Sequence, residues 1–424
     1  MSYFEFSLKN SGFSWREIEK TGKKVFPYIK EIQKKLEKNH YQFPEEFINL
    51  PFDEDLIEKI EKMGEKYQAL NPGLIVIIGI GGSNLGTMAL WYTLAPEKDV
   101  LFAETVDPTY LAQIFKKMEE VYSQGKNILV FLVSKSGTTI ESVANFGAII
   151  GRLKRLYKDW QNYVVAITDP GTPLFEYAKK NKIDSISIPP SIGGRYSVLT
   201  PVGLLPAKVF GLNIRDIMVG ARSVVKDSLS LNMKKNYALQ NAATVFLNLK
   251  AKKTIYNLFI FSPRLKYVGQ WWRQIIAESL GKDGKGITPI VSLGTTDLHS
   301  VTQLYLDGPK DKFTTFVSVK DFGRDFKISG EIELFRLAKG LEGRTIEEVM
   351  SIIFQAVEKS YKKQKLPYTE CILNSISEES LGAFFQLKMI EAAFLGYLLK
   401  VNPYNEPAVD IYKAEMRKIL SKEN

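Results

Sequence analysis

The sequence predicts an α/β fold: two doubly wound parallel-sheet sandwiches, with a helical N-terminal arm before them and a C-terminal helix after them. Three observations predict it. Short apolar runs alternate with longer amphipathic stretches, the alternation occurs once in each half of the chain, and 424 residues at 45% apolar and 12% aromatic content suffice for two domains with separate cores.

Residues 1–45 form the arm, expected to pack on the second lobe. Its "KTGKKVFPYIKEIQKKLEKNH" interleaves Lys with Glu at helical spacing, which describes a solvated helix face better than a nucleic-acid patch. Residues 46–205 form the first sandwich. Its strands, "GLIVIIGIGG", "DVLFAETVD", "NILVFLVSKSGTT", "NYVVAITDPGTP" and "DSISIPP", are nearly continuous in Val, Ile and Leu, as expected where both sheet faces are covered. Helical patterns such as "SNLGTMALWYTLA", "PTYLAQIFKKMEEVYS" and "ESVANFGAIIGRLKRLYKD" lie between them.

Residues 206–400 form the second sandwich, and a mostly helical stretch from Val202 to Lys252 joins the two. "KTIYNLFIFSPRL", "GITPIVSLG" and "DKFTTFVSVKDFG" read as strands, with a helix carrying Glu278 between the first two and long helical patterns from "EIELFRLAKG" onward. "LGAFFQLKMIEAAFLGYLLK" is an apolar helix suited equally to an interface or to a core. Residues 401–424 are a closing segment and helix. In open parallel sheets ligands sit beyond the carboxyl ends of the strands, so the loops after each strand are where chemistry is to be sought.

Composition removes several function classes. One cysteine, Cys371, allows no internal disulfide, and with only His40 and His299 beside it a conventional zinc site is not expected. No calcium-loop pattern occurs, so neither metal nor cofactor is expected. No apolar run is read as long enough to span a bilayer, and "MSYFEFSLKNSGFSW" lacks the charged segment and apolar core of a secretory signal. A cytoplasmic protein without membrane or nucleic-acid partners is the expectation. The balance of 57 Lys and Arg against 47 Asp and Glu, a net +10, by itself favours anionic partners: nucleic acid, acidic lipid headgroups or phosphorylated metabolites.

Three loops carry candidate chemistry. "IGIGGSNLG", residues 78 to 86, is either a tight strand-to-helix turn or a backbone approach to an anion or sugar. Asn84 stands where a dinucleotide fingerprint needs glycine, although Glu104 ends the next strand as a ribose-binding acid would. "SKSGTTIES", residues 134 to 142, brings Ser134, Ser136, Thr138 and Thr139 into one turn at a helix N-terminus, where amides and dipole favour a phosphate monoester. The Walker spacing is absent, and a ligand-free helix cap is the plain alternative. "IGGRYSVLTPVG", residues 192 to 203, sets Arg195 after two glycines, either to stabilise an oxyanion or to make an ordinary ion pair. In "QWWRQIIAESLGKDGKG", Gln274 and Glu278 are four residues apart and share a helix face, an amide beside a carboxylate.

Together "IGIGGSNLG", "SKSGTT", "GGRYSVLTPVG", "AESLGKDGKG", "TTDLHS" and "GYLLKVNPYNEPAVDIYK", in this order and spacing from about residue 70 to the C terminus, resemble the glucose-6-phosphate isomerase (phosphoglucose isomerase) family of two sugar-isomerase (SIS-type) sandwiches. The resemblance implies metal-independent aldose-ketose isomerisation of glucose 6-phosphate and fructose 6-phosphate, through ring opening and a cis-enediol. It makes Glu278 the base between C2 and C1, Arg195 the stabiliser of the enediolate, and His299 and Lys413 the ring-opening groups. It gives Gly82, Ser83 and Gln274 to the sugar, and Ser134, Lys135, Ser136, Thr138 and Thr139 to its phosphate. A homodimer is implied, each active site taking its His299 from the neighbouring subunit. The resemblance departs at Glu406, Ala408 and Asp410, where the family signature has Gln, Gly and Glu. A carboxylate at 406 near a bound phosphate costs about 4 kcal/mol at ~4 Å and intermediate dielectric, unless Glu406 is protonated, paired or turned away.

Overall fold

The computed structural model describes residues 3–37, 41–329 and 338–422. The chain opens with β1 Phe4–Ser7, α1 Trp15–Gly22, α2 Phe26–Leu36 and α3 Glu54–Gln68, then alternates through β2 Pro72–Ile78, α4 Leu85–Leu94, β3 Val100–Ala103, α5 Pro108–Ser123, β4 Asn127–Val133, α6 Ile140–Leu156, β5 Val164–Ile167, α7 Pro173–Lys180 and β6 Asp184–Ile186. Three helices follow, α8 Pro201–Phe210, α9 Ile214–Ser228 and α10 Tyr237–Lys250. The second alternation runs β7 Ile255–Ile260, α11 Lys266–Leu280, β8 Thr288–Leu293, α12 Thr302–Asp307, β9 Lys312–Asp321, α13 Ile346–Lys363, β10 Tyr368–Ser375 and α14 Glu378–Leu399, and the chain closes with α15 Val409–Lys422.

The first sheet has strand order β3-β2-β4-β5-β6 and is parallel throughout. β2, β4 and β5 are buried on both faces, which is why they read as unbroken apolar runs. Helix boundaries follow their caps: α5 starts where Asp107 accepts from the Tyr110 amide with Pro108 at the first helical position, and buries Ile114, Met118 and Val121 at helical spacing. The chain leaves β2 toward β3 and then returns to β4 on its other side. The crevice between β2 and β4 is therefore the switch point at which such sheets bind ligands.

The second sheet has order β1-β10-β9-β7-β8, parallel except for β1, which runs antiparallel to β10. Two sequence expectations need correction here. The N-terminal arm is not wholly helical, because Phe4 and Phe6 alternate with Tyr3 and Glu5, and both rings settle on Tyr237 while Glu5 pairs with Lys320. The region read as helical after residue 331 also contains β10, whose alternate residues Cys371 and Leu373 are buried. The pattern "EIELFRLAKG" falls largely on residues 331–337, outside the described residues.

α14 is core rather than interface: eighteen of its residues are buried, and it packs on α9, α10 and α11. By length and composition it could cross a membrane, contrary to the sequence expectation, but 89% of its apolar window is covered by the rest of the protein. The two lobes meet where α4 lies on α11. Thr93 Oγ1 donates to Arg264 O at 2.9 Å, and the Arg264 guanidinium donates back to Thr93 O at 2.8 and 3.2 Å.

Candidate active site

The loops after β2 and β6 lie backbone against backbone. A Cβ at Gly82 would sit 2.3 Å from Gly194 C and 2.6 Å from Arg195 N, so only glycine fits there. Ser197 Oγ donates to Gly194 O at 2.6 Å and lies 3.3 Å from Gly82 O, tying the two loops together. Across the lobe boundary, the position a Cβ would take at Gly81 is 3.0 Å from Gln274 Nε2.

Arg195 is buried, and all five of its N–H groups are used. Nε donates to Ser279 Oγ at 3.1 Å, Nη2 to Pro403 O at 2.8 Å and Asn405 O at 3.0 Å, and Nη1 to Glu406 Oε2 at 2.7 Å and Glu278 Oε2 at 3.4 Å. Burial opposes its charge, but Tyr196, Glu406 and Glu278 around it hold its pKa above the ordinary guanidinium value. Glu406 is therefore paired, which removes the conflict its sequence position raised. The carbonyls of 403–405 are fixed from behind: Tyr404 shares a hydrogen bond with Tyr28 at 2.8 Å, and Tyr28 stacks on Tyr397 and donates to Glu45.

Gln274 and Glu278 lie on one face of α11, with Gln274 Nε2 donating to Glu278 Oε2 at 3.3 Å. Gln274 Oε1 is buried and has no partner among the described residues. A buried acceptor left open is costly unless a ligand supplies the donor. Lys282 closes the helix by donating to Glu278 O and Ser279 O, both at 2.8 Å, and its pKa is pushed down to about 8 by burial first and then by Arg195. Glu278 and Glu406 line one cavity of about 810 Å³ with Ala277, Lys282, Val409 and Ile411. That volume is in the range of small-molecule sites.

The serine and threonine loop stands beyond β4, at the switch point. Ser134 is buried with Oγ 3.4 Å from Thr139 Oγ1, and the Thr138 amide donates to Ser136 Oγ at 3.3 Å. α6 then begins at Ile140 with Thr139 before it and no side-chain cap, unlike α5, α7, α9 and α10. Its first amides are left for an anion. Lys135 turns its ammonium to Pro190 O at 2.7 Å and Ile192 O at 2.8 Å, bracing the loop that leads to Gly193, and burial lowers its pKa.

His299 and Lys413 stand apart from the Arg195 cluster. His299 is exposed in the turn after β8, and its side chain makes no hydrogen bond among the described residues. Asp297 instead accepts from the Leu293 amide and from Ser300 Oγ. Lys413 is partly buried on α15, without an ion pair among the described residues. Topology separates His299 from Glu278. In the β7-α11-β8 unit the helix runs against two parallel strands, so Glu278, near the C-terminal end of α11, lies at the edge where β8 begins. His299 lies past the edge where β8 ends, about six residues or ~20 Å away along the strand. The candidate loops of the first sheet thus lie at the carboxyl ends of its strands, whereas Glu278 lies at the opposite edge of the second sheet.

Sequence reasoning did not single out Ser279, Tyr196, Lys282 or the 403–405 carbonyls as parts of the site. It raised Glu406 only as a departure. Asn84, the residue that spoiled the dinucleotide pattern, donates to Glu104 at 3.1 Å and so occupies the acid that such a site would give to ribose.

The phosphoglucose isomerase family model matches residues 52–310. A glucose-6-phosphate isomerase of Methanocaldococcus jannaschii is 35% identical over 366 residues, covering 86% of this chain and 86% of its own. One of Mycoplasmopsis synoviae is 31% identical, covering 99% of this chain and 98% of its own. In fold, the chain superposes on a glucose-6-phosphate isomerase structure from Chlamydia trachomatis with a TM-score of 0.84 at 19% identity, covering 100% of this chain and 89% of that one.

Proposed function

The chain belongs to the phosphoglucose isomerase family, and on that premise we propose that it interconverts glucose 6-phosphate and fructose 6-phosphate without a metal, in the cytoplasm, as a homodimer. The observation that carries the reading is the cluster at Arg195. A carboxylate at the wall of one cavity takes hydrogen bonds from a guanidinium and from an amide with an open acceptor, beside the glycine loop of the first sheet.

The phosphate is held by Ser134, Ser136, Thr138 and Thr139 and by the first amides of α6, with the third N–H of Lys135 left for it. Gly82 and Ser83 present backbone to the sugar. Lys413 and the partner subunit's His299 open the ring, one giving a proton to the ring oxygen and the other taking the proton of the anomeric hydroxyl; an imidazole suits either role near neutral pH. Gln274 Oε1 accepts from a sugar hydroxyl and sets the carbon chain against Glu278. Glu278 removes the proton from C2 and returns it to C1, while Arg195 stabilises the charge on the enediolate oxygen. The topology that separates His299 from Glu278 within one chain supports assembly of the site from two copies. The four segments 1–45, 46–205, 206–400 and 401–424 take on the parts of arm, phosphate-binding lobe, base-bearing lobe and closing segment.

The test is conversion of fructose 6-phosphate to glucose 6-phosphate, with and without chelator, by wild type and Glu278→Gln. Turnover insensitive to chelator and lower by about 10²- to 10⁴-fold in the variant, with sugar-phosphate binding kept, is the expected result. Undiminished turnover in Glu278→Gln overturns the assignment of the base.

A further inference from the structure

One guanidinium nitrogen serves two carboxylates. Arg195 Nη1 lies 2.7 Å from Glu406 Oε2 and 3.4 Å from Glu278 Oε2, and both glutamates line the same cavity. The remaining donors of Arg195 are engaged by Ser279 Oγ and by the carbonyls of Pro403 and Asn405, which leaves Nη1 as the one nitrogen shared between the two acids. Its position between the two is set by their competition, and the shorter contact belongs to Glu406.

We propose that Glu406 is a positioning residue for the isomerisation: by holding Arg195 Nη1 it keeps the guanidinium from closing on Glu278, and so leaves that carboxylate free to accept a proton. An arginine fully paired with the base would stabilise it as a spectator anion and would have less charge to give to the enediolate. Glu406 divides that charge. Its side chain is 43% exposed, against 32% for Glu278 and 2% for Arg195, so it reaches the cavity without being needed to fill the core. The charged and titratable groups facing this pair are Arg195 and Tyr196 from the loop after β6, Lys282, Asp283 and Lys285 from the turn after α11, and Lys135 from the loop after β4. None of the positive ones can replace Glu406 in drawing Arg195 away, since they carry the same sign as the guanidinium.

The inference rests on the isomerase reading, and the experiment separates the two. The pH dependence of kcat/KM is measured for wild type, Glu406→Gln and Glu406→Asp. Removing the charge at 406 both takes a negative group from beside the base and releases Arg195 toward it. The acid limb of the Glu406→Gln profile is therefore expected to move to lower pH by about one unit, with kcat down about threefold. Glu406→Asp, which keeps the charge, is expected to keep the limb within a few tenths of a unit of wild type, and it reports even if Glu406→Gln folds poorly. A lower rate with the limb unmoved in Glu406→Gln, or an equal shift in both variants, overturns the proposal while leaving the isomerase reading intact. A wild-type chain with no turnover overturns both.

Discussion

Lys388 Nζ lies 2.7 Å from Glu391 Oε2, and neither side chain reaches solvent. The pair sits within α14 and continues into a buried polar chain: Tyr256 OH lies 3.3 Å from Glu391 Oε1 and 3.0 Å from Thr315 Oγ1, and Asn241 Nδ2 donates to Tyr256 at 2.9 Å. Burial by itself would drive the ammonium toward its neutral form, but Glu391 and Tyr256 hold it charged, with a pKa above that of an ordinary lysine. Lys388→Met should therefore strand the carboxylate and lower stability by about 3 to 5 kcal/mol, whereas Lys388→Met with Glu391→Leu should recover most of that loss. Urea unfolding of both variants checks it. Equal loss in the single and double variants would mean that the ion pair is not what the core depends on.

The proposed phosphate cradle gives a prediction about binding rather than chemistry. Ser134 and Thr139 bring hydroxyls to the uncapped start of α6. Ser134→Ala with Thr139→Ala should raise KM for both hexose phosphates by about tenfold for each ~1.4 kcal/mol of binding free energy removed, with a much smaller effect on kcat. Steady-state kinetics in both directions provides the measurement. A fall in kcat at constant KM would move these hydroxyls from substrate binding to the transition state.

A third prediction concerns pH and lies on β10, the strand next to the edge strand β1 in the second sheet. Burial first, and then the neighbouring Glu358 carboxylate, raises the Glu370 pKa from 4.5 to about 7. Unfolded, the group ionises near its ordinary value; folded, it keeps its proton to about 7. Its contribution to stability is thus fully present below pH 4.5 and lost as pH rises through 7. Glu370→Gln should leave the melting temperature unchanged at pH 4 and raise it at pH 8. The gain is on the order of 1 kcal/mol, since the half-exposed carboxyl is screened by solvent. A rise of the same size at both values would assign the effect to packing rather than to charge.

What the sequence disclosed and what it hid have physical reasons. β2, β4 and β5 were legible because a strand covered on both faces has no polar residues to interrupt it. The loop at Gly82 was legible because the close approach of two backbones admits only glycine there, and the Ser134 loop stood out because it gathers hydroxyls at a helix start. β10 was missed because it stands between two long helices and only its alternate side chains are buried. The pairing of Arg195 with Glu406 was beyond reach, since it joins residues 211 positions apart and the local pattern around Glu406 shows only an exposed acid. The Lys388 and Glu391 pair was hidden in the same way, two charges three apart on a helix whose burial only the fold reveals.

The separation of His299 from Glu278 yields the most discriminating prediction. If each site draws its histidine from the other copy, Glu278→Gln and His299→Ala are separately inactive but complement each other. In a mixed dimer, the site that keeps Glu278 belongs to the chain bearing His299→Ala, and it receives an intact His299 from the chain bearing Glu278→Gln. The other site lacks both groups. Unfolding and refolding an equimolar mixture makes half of the dimers mixed, each with one competent site of two, so activity should return to about a quarter of wild type, as expected for a closed two-fold assembly. If the histidine served its own chain, each site in the mixed dimer would lack one group and the mixture would stay as inactive as its parents. The result therefore turns on a single geometric fact, the length of β8 lying between Glu278 and His299 of one chain.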